Sequence, residues 1–297
     1  MRITFDQSFR NIESDTNRAA EQLAAAQRQV SSGHRINKPS DDPAGASFAV
    51  TGHAAIGALD AYTKTADSTT SRLTVADSML SDIINKITAA QTAAASARGS
   101  AMTQSQRDAA AANLQGISDS LLDDFNAQFH GSYVFSGSKA TTAPYTSTGG
   151  TVSSYQGDAT AVSVDLGQGR TAQIAFDGQS IAQGSDPADI FTVLSNLATA
   201  ARSGDSVATG QGLDALDHAL DRATLAQTHV GNSFAALDDV RARLSTERLN
   251  VTAQLSSTED VNMASAITNM SQAETGYRAA LAAFGRIGSF SLMDYLK

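Results

Sequence analysis

At 297 residues, with no Cys, no Trp and a net charge of −9, the chain is long enough for about two domains, but it lacks the material for disulfides, thiolate chemistry or a large aromatic core. Its acidity, with Lys and Arg forming no basic block, argues against nucleic acid as a partner. No run is apolar enough to span a membrane and the first residues hold no signal-peptide core, so these signs alone place the protein in the cytoplasm unless it leaves by a route that needs no cleaved signal.

The chain opens on a helical seam. Phe5, Phe9, Ile12, Thr16, Ala19, Leu23, Ala26 and Val30 recur in steps of four and three, the signature of one coiled-coil face. Arg2, Arg10, Arg18 and Arg28 are balanced by Asp6, Glu13, Asp15 and Glu21, leaving a nearly neutral helix of about 30 residues, roughly 45 Å long, whose seam only another helix can cover. Residues 31–47, SSGHRINKPSDDPAGAS, break it. Gly33 suits the C-terminal cap, and Pro39 forbids continuation. Asp42 followed by Pro43 is a strong start signal, because Asp can cap free N–H groups and Pro at the first helical position loses nothing. Arg35 lies close enough in sequence to pair with Asp41 or Asp42.

From Phe48 to about Arg98 the heptad pattern continues without a skipped beat, through Leu59, Leu73, Leu80, Ile83 and Ile87. A helix of ~50 residues would be roughly 75 Å long, which rods use and globular domains rarely do. Arg98-Gly99-Ser100 ends it, and a second helix is predicted at about Ser105–Phe129, folding back as an antiparallel hairpin. At Gly131 the texture changes to strand-sized pieces divided by Gly-rich turns. Val162, Val164 and Leu166 alternate with polar residues, Gly167-Gln168-Gly169 turns, and Ile174 and Phe176 alternate again, which reads as a β-hairpin. Asp186-Pro187 opens a further helix through Ile190, Val193, Leu194 and Leu197. Heptads resume at Leu213 and run through Leu216, Val230, Leu237 and Leu244 to Leu255.

The last stretch, Asp260–Lys297, reads as one helix that cannot be satisfied alone. Met263, Ile267, Met270, Glu274, Tyr277, Leu281, Phe284 and Gly288 form its seam, and the remaining surface is mostly Ala, Ser, Thr, Asn and Gln. The simplest arrangement pairs the two termini and leaves other faces for copies of the same chain. Catalytic signatures are missing from this layout. His34, His53, His130, His218 and His229 fall in no metal-ligand spacing, the adjacent Asp41 and Asp42 are explained by helix capping, Gly167–Arg170 lacks the Lys of a phosphate loop, and no nucleophile elbow is present. The expectation is a protein without catalysis, cofactor or metal.

Tail helix, long helices, inserted β-rich segment, long helix and tail helix form a palindrome, and its two signatures, SSGHRINKPSDDPAG at Ser31–Gly45 and DVNMASAITNMSQAETGYRAAL at Asp260–Leu281, resemble the bacterial flagellin family. The opening Met1-Arg2-Ile3-Thr4, the ending Ser291-Leu292-Met293-Asp294-Tyr295-Leu296 and GSYVFSGSKATTAPY at Gly131–Tyr145 are similar to the family's hook–filament junction subunits rather than to its main filament subunits. The resemblance implies a mainly α fold. Its N- and C-terminal segments would form a long antiparallel coiled-coil rod carrying a small inserted β-rich outer domain. It divides the chain into an N-terminal assembly helix lining the inner tube (1–40), rod helices (41–130), the outer domain (131–205), a rod helix (206–258) and a C-terminal assembly helix (259–297).

The function so implied is structural: joining hook-associated protein 1 to the flagellin filament by coupled folding and polymerisation of the tails. Implied partners are hook-associated protein 1, flagellin, copies of the chain in a junction ring and a flagellar export chaperone, with no nucleic acid and no membrane. The location is extracellular, in the flagellum, after export without a cleaved signal peptide. Phe5, Phe9, Ile12, Leu23, Val30, Ile267, Met270, Tyr277, Leu281, Phe284, Leu292 and Leu296 are the expected interface residues, and Gly33, Arg35, Asn37, Asp41, Asp42, Pro43 and Gly45 the expected motif turn. Two alternatives stand beside this reading: a small filament flagellin, and a cytoplasmic coiled-coil adaptor or an enzyme carried in the β-rich segment.

Overall fold

The computed structural model describes residues 2–99, 102–167 and 169–295, apart from the side chains of residues 2–6, 8 and 287–295. The chain is mainly helical. Four long helices, α1 (Arg2–Ser32), α2 (Pro43–Ala97), α6 (Ser206–Glu259) and α7 (Met263–Tyr295), frame a middle region. That region holds α3 (Gln104–Phe125), short strands β1 (Gln128–Phe129), β2 (Ser132–Tyr133), β3 (Ser147–Thr148), β4 (Thr151–Val152), β5 (Ser163–Asp165) and β6 (Thr171–Gln173), then α4 (Gly178–Ala182) and α5 (Ile190–Ser203). The chain gathers into two compact units, one of residues 1–58 with 246–297 and one of residues 59–245.

In the unit 59–245, α2 and α6 run antiparallel. Asp67 meets Arg241 at 2.7 Å, Gln227 donates to Asp77 at 3.2 Å, and Gln91 donates to Asp217 at 2.6 Å, so numbers rise along one helix as they fall along the other. Between these polar ties the heptad positions close into a core: Leu73, Leu80, Ile83 and Leu216 are inaccessible to solvent. Each such side chain contributes about 1.5–3 kcal/mol from burial, which is what holds helices this long against their ordering entropy. Helix α3 completes the layer with Leu114, Leu121 and Phe125. Its start is a capping box, in which Thr103 accepts from the Gln106 N–H and the Gln106 side chain returns to the Thr103 N–H. It ends at Phe125, four residues before the sequence pattern does, with Asn126 as its cap. The Asn126 side chain turns to hold Tyr145 instead, donating to its carbonyl at 2.9 Å and accepting from its N–H at 3.1 Å.

The end of α3 is where the β-rich segment is anchored. The Phe125 ring meets those of Phe135, Tyr145 and Phe191 edge-on, with centroids 5.6–6.0 Å apart, an arrangement aromatic quadrupoles favour. Arg72 of α2 reaches the same segment, donating to the carbonyls of Ile174 and Tyr133. Among the described residues the strands form three separate antiparallel pairs, β1–β2, β3–β4 and β5–β6, rather than one sheet. The predicted hairpin is β5–β6, with Val164 opposite Ala172 and a turn in which Gly167 and Gly169 adopt positive φ. The helix expected to start at Asp186-Pro187 is α5, but its cap is Asp189, which accepts from the Thr192 N–H at 2.7 Å. Asp186 instead pairs with Arg222, and this guanidinium, next to His218, holds the Asp186 carboxyl below the usual carboxylate range against the opposing effect of desolvation.

Candidate assembly interface

In the unit of residues 1–58 and 246–297, α1 packs along α7. On α1 the seam positions Phe9, Ile12, Thr16, Ala19, Leu23, Ala26 and Val30 are covered, Ala26 buried and the others half-buried, and Ala20, Ala24, Ala25 and Gln29 are half-buried beside them. On α7 the covered stripe is Ala266, Met270, Ala273, Tyr277, Ala280 and Phe284, again in steps of four and three. The Phe9 and Phe284 rings meet with centroids 5.2 Å apart. Where both helices carry Ala a groove of about 440 Å³ remains, lined by Ala19, Ala25, Ala26, Ala273 and Gly276 and by the amides of Gln22, Gln29, Asn269 and Gln272.

The predicted seam of α7 is therefore split. Met270, Tyr277 and Phe284 are half-buried, while Met263, Ile267 and Leu281 stay 44–49 % exposed. The reason is steric. Alanines on the neighbouring face allow a closer approach of the backbones than large side chains would, so α7 presents its Ala stripe and leaves the bulky row beside it open. Val50 and Leu249 are exposed in the same unit. Glu274, in the middle of the open row, pairs with Arg278 one turn on. The side chains of Phe5 and Leu292, and all of Leu296, lie outside the described residues.

The motif turn joins the other ends of these helices. Gly33 takes φ +75° and donates to the Gln29 carbonyl, closing α1. Asp41 accepts from the N–H groups of Asn37 (3.1 Å) and Lys38 (2.9 Å), and the Asn37 side chain donates to the His34 carbonyl. Asp42 caps α2 ahead of Pro43 by accepting from the Gly45 N–H at 2.9 Å. That hydrogen bond, and then the Arg35 guanidinium at 3.1 Å, hold its carboxyl below the usual range. Gly45 has no room for a side chain, since a Cβ would stand 2.5 Å from Ile36 Cδ1 and 2.6 Å from an Asp42 oxygen.

This turn is tied to the link between α6 and α7. The Arg35 N–H donates to the Glu259 carbonyl at 2.6 Å and the Val261 N–H donates to the Gly33 carbonyl at 2.9 Å, so residues 33–35 and 259–261 pair like two short strands. Arg35 Nη2 also donates to the Thr258 carbonyl at 2.8 Å. The two sequence signatures, more than 200 residues apart, thus meet in space. The break between α6 and α7 has no Gly or Pro. The last helix starts at Met263 rather than Asp260, because Asn262 caps it, accepting from the Ser265 N–H. Sequence reasoning missed Glu259 and His53. Glu259 is only 15 % exposed at its side chain and stands between His53 Nε2 (3.0 Å) and His34 Nδ1 (3.7 Å). Residue type alone carried no signal for it; only its place just ahead of the second signature did.

The family models that match are the bacterial flagellin N-terminal helical region, over residues 6–140, and the bacterial flagellin C-terminal helical region, over residues 213–296. The chain is 25 % identical to the flagellar hook-associated protein 3 of Escherichia coli K12, over 99 % of this chain and 98 % of that one. It is 26 % identical to the protein of the same name from Salmonella typhimurium LT2, over 99 % of each. A solved structure of the flagellar junction protein of Legionella pneumophila superposes with a TM-score of 0.60 at 13 % identity, covering 72 % of this chain and all of that one, a likeness of fold.

Proposed function

We infer the role of this chain from the premise that it belongs to the bacterial flagellin family and is most like the family's hook-associated protein 3 members. It is a structural subunit of the bacterial flagellum, at the junction of hook and filament. The observation that supports this reading best is the terminal unit: α1 and α7 cover one another along one stripe and leave Met263, Ile267 and Leu281 open on a helix with little charge. Such a row gains when a neighbour covers it, and little otherwise. Polymerisation supplies that neighbour, so ordering of the tails and joining of subunits reinforce each other.

The finer assignments are ours. We place hook-associated protein 1 on one side, flagellin on the other and copies of this chain around the ring, with a flagellar export chaperone before assembly and neither nucleic acid nor membrane among the partners. We assign the chain no catalysis and an extracellular place reached without cleavage of a signal peptide. Residues 1–40 and 259–297 would serve as the inner assembly helices and 131–205 as the outward segment. The interface would use Phe5, Phe9, Ile12, Leu23, Val30, Ile267, Met270, Tyr277, Leu281, Phe284, Leu292 and Leu296. A label inserted at the exposed Gly149–Gly150 turn, where a Cβ added to either glycine would meet nothing within 4 Å, tests the location. The expected image is one narrow band between hook and filament. Label all along the filament would make the chain a small filament flagellin, and label retained in the cytoplasm would remove the structural reading altogether.

A further inference from the structure

We propose that the crevice between α2 and the β5–β6 hairpin binds an organic carboxylate with an apolar body, a role beyond assembly and independent of it. The hairpin is pinned to α2 at two places. Gly167 sits against the Tyr62 ring, where a Cβ would stand 2.9 Å from a ring carbon, and Arg72, further along α2, donates to the carbonyls of Ile174 and Tyr133. From Tyr62 to Arg72 the helix advances about 15 Å. Between the two pins lies a cavity of about 320 Å³. Lys64, Ser68 and Arg72, at every fourth residue of α2, share one face of the helix and line one wall. The half-buried Phe129, Val164 and Ile174 line the rest.

The charges of this crevice are out of keeping with the chain. The protein carries −9 overall, yet among the described residues neither Lys64 nor Arg72 has a carboxylate within ion-pair distance, and Asp67 on the same helix is taken by Arg241. The Arg72 guanidinium is half-buried against carbonyls, and desolvation with no acid to oppose it lowers its pKa. A cation withdrawn from water without a counter-charge gains more from an arriving anion than an exposed one does. The cations therefore call for an anion and the facing wall for hydrocarbon. The volume sets the size. A cavity of about 150 Å³ holds benzene, so this one takes a ring together with a short stem and its carboxylate. An inorganic anion would leave the apolar wall in water, and a neutral hydrocarbon would leave both cations without a partner.

The test is titration of the soluble full chain with 3-phenylpropionate, its uncharged amide and acetate, followed by calorimetry and by backbone amide resonances; it needs order only in residues 59–245. The expected result is saturable binding of 3-phenylpropionate that weakens with added salt and shifts the amides of Ser68, Val164 and Ile174, with the amide and acetate each at least about tenfold weaker. Lys64 is exposed, so Lys64→Glu is expected to leave the melting temperature unchanged and to weaken binding by about tenfold or more. Arg72→Gln is expected to abolish binding, but it also removes one pin of the hairpin, so Lys64→Glu decides. No saturable binding, equal binding of the amide or of acetate, shifts confined to residues away from the crevice, or full affinity in Lys64→Glu would each overturn the inference.

Discussion

Leu281→Asp separates packing within the chain from packing between subunits. Leu281 is 44 % exposed, so a little over half of its side chain is already covered. Full burial of Leu is worth about 1.5–3 kcal/mol, which divides into about 1–2 kcal/mol present in the free chain and about 1 kcal/mol still to be gained when a neighbour closes over it. In the free chain an Asp carboxylate at this position can turn into the open half of the site and stay hydrated. The expected loss is therefore about 1–2 kcal/mol, confined to the α1–α7 pair, with thermal unfolding of residues 59–245 unchanged. Closure is a different matter. An unpaired carboxylate enclosed there costs several kcal/mol, and Glu274 one heptad earlier on the same row adds repulsion. A loss of about 4 kcal/mol weakens association by about a thousandfold. Cells carrying the variant should export a soluble, folded protein yet lack filaments, as seen by swimming and electron microscopy, while Leu281→Ala should assemble with a modest defect. Motile cells with normal filaments on Leu281→Asp would refute a closed interface at this position. A lower melting temperature for residues 59–245 would show that Leu281 acts through the ordinary core.

Two further outcomes follow from the polar groups. Tyr145 is 1 % exposed and its hydroxyl is buried without a hydrogen-bond partner, so Tyr145→Phe should keep the ring packing, shed a desolvation cost and leave stability unchanged or raised by about 1 kcal/mol, seen as a melting temperature up by about 2–4 °C; a clear drop would mean that the hydroxyl does bond in solution. Asp42 has its pKa depressed by the fold, so its contribution is complete above the ordinary value of 3.8 and is lost as pH falls through the lower folded value. The Gly45 amide should accordingly lose exchange protection on acidification, and Asp42→Asn should remove that acid step.

The long helices were legible because heptad spacing states both the period and the face, and on α1 the seam positions from Phe9 to Val30 are covered, with Ala20, Ala24, Ala25 and Gln29 covered beside them. On α7 apolar bulk alone does not mark the covered side: Ala266, Ala273 and Ala280 share it with Met270, Tyr277 and Phe284, while Met263, Ile267 and Leu281 stay open. The excess length given to α3 has the same origin: Phe129 fits the heptad, but Asn126 ends the helix by bonding Tyr145, a residue whose nearness only the tertiary fold reveals. The motif turn was visible as Gly, Asp and Pro chemistry, and Arg35–Asp42 as one of two sequence-near pairings. Its attachment to residues 258–261 was not, because nothing in local sequence reports on a backbone carbonyl more than 200 residues away.

The cluster around Phe125 also makes the protein its own optical gauge. Without Trp, the near-ultraviolet absorbance belongs chiefly to six tyrosines. Burial, with nearby carboxylates, pushes the ionisation of Tyr145, and of Tyr155 whose ring centroid lies 5.5 Å from that of Tyr145, well above the ordinary value of 10.0, because a phenolate there would be stripped of water. In an alkaline titration these two rings stay dark in the tyrosinate band while residues 59–245 are folded, and they light up only when that unit opens. A fold that prefers the neutral phenol is also a fold that weakens as pH climbs past 10, so the colour change and the collapse should arrive together, without any added dye.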